Sequence, residues 1–248
     1  MLEWRVVGTL IVPASNESTP AALLINGSGP LDRDSNMPGQ ALDIANSLAF
    51  RPRRARRGVA SVRQERGRRS NGDYLTTSFD RETSDAASTL PALRRVPAID
   101  PRRVTLIGHS VGATIAIRLA RAHDWVAGAV LLCASRSPGA EVMRIQSDRI
   151  AASLRGIQRL GVRRFLRRQE EARHALLASN GDVIDIEGGL PARWFREYMA
   201  YDPALDLAAI RCPVLAITGR SDLHVDPDDV ERIGALVAGD SSAAFRTT

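Results

Sequence analysis

Apolar and polar positions alternate over Arg5–Val12, and a continuous apolar run follows at Ala21–Ile25; both read as β-strands. Residues 26–40 are turn chemistry, with Gly27, Gly29, Pro30, Pro38 and Gly39. Helical spacing of Leu42, Ala45, Leu48 and Ala49 predicts a helix over Ala41–Phe50. A third strand is expected at Gly58–Arg63, a helix at Thr83–Leu93 and a short buried strand at Val104–Ile107. Val111–Ala122 reads as a helix with Ile115, Leu119 and Ala122 on one face, and continuous apolar runs recur at Ala127–Ala134 and Val214–Ile217. Short strands that are apolar on both faces, alternating with helices, predict an α/β fold: a mostly parallel central sheet with helices on both faces.

The interval 139–207 breaks this rhythm. It offers helical segments at Ser147–Leu160, Val162–Ser179 and Pro191–Tyr201 but no core strand, so it reads as a helical lid insertion. The core then comprises residues 1–138 and 208–248. Beyond Ile233–Val237 the tail is short, polar and without periodicity, and no closing strand is expected in it.

The chain has 248 residues, enough for one large α/β domain, and its 44% hydrophobic content excludes a disordered chain. The longest apolar run, near Val126–Ala134, falls far short of the roughly 20 residues that span a bilayer. Glu3 and Arg5 interrupt any secretory signal. Cys133 and Cys212 read as reduced core residues, so a cytoplasmic location is expected, with neither metal nor other cofactor. A net charge of +6 would suggest an acidic partner, but all 34 basic residues are arginine, which has the look of GC-biased codon usage. Five arginines crowd residues 51–57 without the interleaved aromatics of a nucleic-acid surface, and they read as solvated. Neither a nucleic-acid nor a membrane partner is expected.

The segment Val104–Ile117 carries the candidate chemistry. A strand runs into Gly108-His109-Ser110-Val111-Gly112 and then into a helix. A serine on so sharp a strand-to-helix turn has its hydroxyl lifted clear of the sheet, and small neighbours at both glycines relieve the crowding that the turn creates. Ser110 is therefore the candidate nucleophile, and the N–H of Val111, at the start of the helix, the candidate donor to an oxyanion.

Four further segments accompany this one: Gly8–Pro13, Asn26–Asp34 (NGSGPLDRD), Glu65-Arg66-Gly67 with Gly72-Asp73-Tyr74, and Cys212–Asp222 (CPVLAITGRSD). On these segments the chain resembles the α/β-hydrolases of the dienelactone hydrolase and serine aminopeptidase-like group, over most of residues 5–238. The resemblance implies a serine hydrolase that acts on carboxylic esters or thioesters of small acyl substrates through an acyl-enzyme. It also implies Asp222 as the triad acid and the Ser28 N–H as a second oxyanion donor.

Some positions depart from the family pattern. Asn26-Gly27 stands where the family usually has His-Gly, and Gln64-Glu65-Arg66-Gly67 replaces a D-x-R-G turn. The fold's triad runs serine, acid, histidine. Of His109, His123, His174 and His224, only the last follows Asp222, and by just two residues. The chain is thus expected to lack the family's final strand and histidine loop. The alternative reading is a truncated, non-catalytic or weakly active protein of this fold. Trp194 and Tyr198, spaced to lie on neighbouring faces of one helix, suit either cover for an acyl group or packing of the insertion on the core.

Overall fold

A computed structural model of the chain describes residues 6–12, 14, 17–32, 34–37, 39–44, 47–48, 60–65, 73–186, 189–237 and 244–247. Its strands are β1 (Val7–Ile11), β2 (Thr19–Ile25), β3 (Ala60–Glu65), β4 (Ile99–His109), β5 (Gly128–Leu132), β6 (Val214–Thr218) and β7 (Ala244–Thr247). They form one sheet in the order β1-β3-β2-β4-β5-β6-β7. Only β1 runs antiparallel to its neighbour; every other pair is parallel, as short, doubly apolar strands require.

Helix α1 (Phe79–Arg94) starts four residues before the expected Thr83. The Ser78 hydroxyl caps it by accepting from Arg81 N–H at 3.0 Å, with Asp80 and Glu82 in the first turn. Helix α2 (Val111–Ala122) is buried almost all round, Ile115 and Ile117 included, because it lies between the sheet and its neighbours. On the opposite face of the sheet, Leu24 packs with Ile11, Leu48 and Ile107. The expected helix Ala41–Phe50 falls partly outside the described residues, as do the first residues of the strand read at Gly58–Arg63. The arginine run 51–57 and the Arg66-Gly67 turn lie wholly outside them.

Two expectations need correction. The closing strand that the polar tail was not expected to supply is present as β7, paired in parallel with β6 from Leu215↔Ala244 to Thr218↔Thr247. An edge strand needs only backbone pairing on one side, so hydrophobic periodicity does not reveal it. The first helix of the insertion, α3, spans Gly139–Ser153 rather than starting at Ser147. Its start is set by contact: a Cβ on Gly139 would lie 2.1 Å from the Tyr198 carbonyl oxygen, and the Gly139 N–H donates to Tyr201 C=O at 3.2 Å. A 3₁₀ turn (Gly156–Gly161), α4 (Val162–Ala178), α5 (Ala192–Ala200) and α6 (Ala204–Ala209) complete the insertion, and α7 (Asp229–Val237) returns to the core.

Trp194 and Tyr198, both on α5, are 5% and 8% exposed. Their rings stack at 5.2 Å, and each meets Phe79 of α1 edge-on, at 6.0 and 5.6 Å. Of the two roles expected for this aromatic face, packing the insertion onto the core is the one these contacts perform. Arg118 of α2 joins the same group, lying 5.2 Å from the Phe79 and Tyr201 ring centres while pairing with Asp80 at 2.7 Å.

Candidate active site

Ser110 occupies φ 54°, ψ −121°, a conformation that costs a residue with a side chain about 1–3 kcal/mol. The chain is held there from both sides. A Cβ on Gly108 would come within 2.2 Å of the Gly112 carbonyl oxygen, and one on Gly112 within 2.2 Å of the Ile25 carbonyl oxygen. The crossing of β4, α2 and the end of β2 therefore closes only with glycine at both positions. The Ser110 N–H donates to Leu132 C=O at 2.8 Å, which ties the turn to β5. Val111 is the first residue of α2, so its N–H has no acceptor within the helix.

The loop after β2 runs against this turn. A Cβ on Gly27 would sit 3.4 Å from Ser110 Cβ and 3.3 Å from His109 Nδ1. Ser28, the next residue, is exposed, and Gly29 takes a φ of 107° open to glycine at no steric cost. Asn26, in the place of the family's usual histidine, is buried and braces the loop. Its Nδ2 donates to Asp32 C=O at 2.9 Å while its Oδ1 accepts from the Ser35 hydroxyl at 2.8 Å. The structure thus brings Ser110, Val111 and the loop bearing Ser28 together at the C-terminal end of the strands, where open α/β sheets place their ligand sites.

Asp222 lies on the loop after β6. Its Oδ1 accepts from the backbone N–H groups of His224 at 2.7 Å and Val225 at 3.1 Å, so it does shape its own turn. It also faces the neighbouring strand end, where the Cys133 thiol donates to its carboxylate. Cys133 is not the core residue expected from sequence. It sits half-buried just past β5 with φ 52°, its N–H donating to Ile217 C=O at 2.8 Å. Its position immediately after an apolar strand, parallel to that of Ser110 after β4, is the signal that sequence reading passes over.

Burial, reinforced by the hydrogen bond and negative charge of Asp222, pushes the Cys133 thiol up to about 12. Alkylation of Cys133 by iodoacetamide near pH 8 in the folded protein is therefore expected to be slower by orders of magnitude than that of a free thiol. Mass spectrometry of the native and urea-unfolded chain checks this, and rapid native labelling of Cys133 would contradict it.

The histidines do not converge on Ser110. His224 Nδ1 is 2.7 Å from Gln146 Nε2 of α3, which makes it an acceptor and places the proton on Nε2. His123 lies 5.5 Å from the Trp125 ring, and His174 pairs with Glu170 at 3.0 Å. Among the described residues the Ser110 hydroxyl has no hydrogen-bond partner. His109 is the histidine most engaged with the site. Burial lowers its imidazole below the ordinary value of 6.5, with Asp222 opposing the shift and His224 adding to it. Above that pH the ring is neutral in both folded and unfolded chains. Below it the unfolded chain takes up the proton first, so stability falls as pH drops. Urea unfolding at about pH 7.5 and about pH 5 is expected to show this loss, and His109→Asn to show a smaller one.

Helix α3 also reaches the acid loop from the side. Arg149 donates to the Asp222 carbonyl at 3.1 Å and pairs with Asp226 at 3.0 Å, a link that sequence spacing does not reveal. No group of three or more His, Cys, Asp or Glu side chains among the described residues is arranged to hold a metal ion, and no described helix is long and apolar enough to cross a membrane.

Comparison with known proteins gives the same architecture. Esterase EstD of Thermotoga maritima is 27% identical over 228 residues, covering 90% of this chain and 52% of the relative. The chain thus spans about half the length of that curated relative. Among solved structures, Est1E from Butyrivibrio proteoclasticus with ferulic acid bound superposes with a TM-score of 0.67 at 15% identity, covering 98% of this chain and 85% of the other. A thermophilic esterase from Thermogutta terrifontis gives 0.58 at 18% identity, covering 98% and 84%. The model of the alpha/beta hydrolase family matches residues 18–245, and with the sheet order and the glycine-flanked Ser110 turn this establishes that the chain belongs to the alpha/beta hydrolase family.

Proposed function

We propose that this chain is a serine hydrolase of carboxylic esters or thioesters of small acyl substrates, working through an acyl-enzyme on Ser110. The observation that carries this reading is the strained Ser110 conformation, locked between two glycines that tolerate no Cβ. Strain of this kind persists where the surrounding structure over-determines it, and it clusters at functional sites. That the relatives include proteins named as esterases supports the ester chemistry.

In this mechanism the Ser110 Oγ attacks the substrate carbonyl carbon, and the carbonyl electron pair moves onto oxygen. The N–H groups of Val111 and Ser28 receive the resulting oxyanion, with the first turn of α2 adding its partial positive charge. Collapse expels the alcohol or thiol and leaves acyl-Ser110, which water then hydrolyses. Asp222 orients the general base that takes the serine proton and returns it to the leaving group. Residues 139–207 serve as the lid, with α3 fixing the acid loop through Arg149. No cofactor enters any step.

A second reading, a weakly active or non-catalytic member of the family, is favoured by one observation: no described histidine bonds the Ser110 hydroxyl. Pre-steady-state hydrolysis of p-nitrophenyl acetate separates the two. The proposal predicts a burst of nitrophenolate stoichiometric with enzyme, then steady turnover. Folded protein with neither would establish the second reading. Because its ring is held by Gln146, His224→Ala is expected to leave turnover unchanged; complete loss would identify His224 as the base.

A further inference from the structure

Residues 149–169 contain seven arginines and no acidic residue, in a chain that carries 34 basic and 28 acidic residues overall. This segment comprises the end of α3, the 3₁₀ turn and the first half of α4. Within it Arg159, Arg163, Arg164 and Arg168 are exposed, and among the described residues none of their side chains has a hydrogen bond or ion pair. In α4, Arg163 and Arg167 share one row and Arg164 and Arg168 the next, while the buried Leu176 and half-buried Phe165 face the other way. The acids of α4 come later, where Glu170 and Glu171 are taken up by Arg173, His174 and Arg167 of the same helix.

This arrangement is unfavourable for the isolated protein. The N-terminal turn of a helix carries partial positive charge, and α4 begins with cations and has no acid in its first turn. Two large aliphatics compound it. Ile157 and Leu160 are 82% and 84% exposed, and their three-residue spacing aligns them on one side of the 3₁₀ turn. Scattered exposed aliphatics need no explanation, but two aligned ones beside unpaired arginines fit a surface that is anionic at its boundary and apolar beneath.

We infer that the 3₁₀ turn and the N-terminal half of α4 form a peripheral docking surface for an anionic phospholipid bilayer, with Ile157 and Leu160 entering the headgroup boundary and Arg159, Arg163, Arg164 and Arg168 contacting lipid phosphates. A nucleic acid would satisfy the arginines, but it offers nothing to the two aliphatics, and no exposed aromatic stands beside them for base stacking. A second copy of the chain would set arginine against arginine. The absence of a long apolar run bears on a spanning segment and not on attachment at the surface. The inference does not depend on any catalytic role for Ser110.

Co-sedimentation of the full chain with large unilamellar vesicles tests it. Vesicles of phosphatidylcholine with about one-third phosphatidylglycerol are expected to bind it, pure phosphatidylcholine far less, and added salt to weaken the binding. Arg163→Gln with Arg164→Gln and Arg168→Gln should weaken partitioning by roughly a hundredfold. Ile157→Asp with Leu160→Asp should weaken it by about tenfold or more. Both sets lie on exposed positions, and circular dichroism should show an unchanged fold. Absence of binding to the mixed vesicles would overturn the inference, as would equal binding to both vesicle types. Binding to a short DNA duplex that is tighter than vesicle binding and indifferent to the Ile157 and Leu160 changes would assign the surface to nucleic acid instead.

Discussion

Gly112→Ala is expected to destabilise the protein by at least about 3 kcal/mol, a large part of the roughly 5–15 kcal/mol that holds such a domain together. The reason is geometric. The new Cβ would lie 2.2 Å from the Ile25 carbonyl oxygen and 2.4 Å from that of Asn26. Those are backbone atoms at the end of β2, in register with Ile25↔Gly108, so no side-chain rotation relieves the overlap. Either α2 moves off the sheet or the β2 loop shifts, and each would disturb the contact of Gly27 with the Ser110 turn. Gly161→Ala is the control: its Cβ meets nothing within 4 Å and its φ is not positive, so it should be neutral. Thermal unfolding followed by circular dichroism should show a fall of about 6–12 °C or more for Gly112→Ala and none for Gly161→Ala. Similar midpoints would mean that the turn tolerates a side chain.

Ser110→Ala is expected to lower ester turnover by about three to six orders of magnitude while leaving the fold intact. The strain at this residue allows a sharper test. Alanine keeps the Cβ and therefore the strain, whereas Ser110→Gly removes both the hydroxyl and the penalty of φ 54°. The glycine variant should be inactive yet about as stable as the parent or more so, by up to about 1 kcal/mol. A structural serine would behave otherwise, with no loss of turnover in either variant.

The elements most legible in the sequence are those whose environment is uniform. β2 is buried on both faces, β5 and β6 are buried on one face and half-buried on the other, and α2 is apolar nearly all round, so their hydrophobic runs stand out without any tertiary information. The Ser110 turn was legible because its steric demands impose glycine at two fixed spacings. What stayed hidden was set by partners distant in sequence. The start of α3 is decided by Gly139 packing beneath Tyr198, and β7 exists only because β6 offers it an edge. β4 begins five residues before its apolar run because Thr19↔Ile99 pairs across an irregularity in the register. Within the site, Asp222 came from resemblance to a family, and its neighbours Cys133 and Arg149 carry no local signature. Trp194 and Tyr198 show the limit of periodicity: spacing found the apolar face of α5, and only the contacts with Phe79 say what it covers.

The central claim is that Ser110 is a chemically activated nucleophile. A fluorophosphonate probe acts on such serines, and an adduct on Ser110 is read on the tryptic peptide Val104–Arg118. Intact-mass and peptide analysis of the folded protein should find one adduct per chain, located on Ser110, and none in Ser110→Ala. Folded protein that remains unlabelled, or that carries its adduct on another residue, would contradict the account.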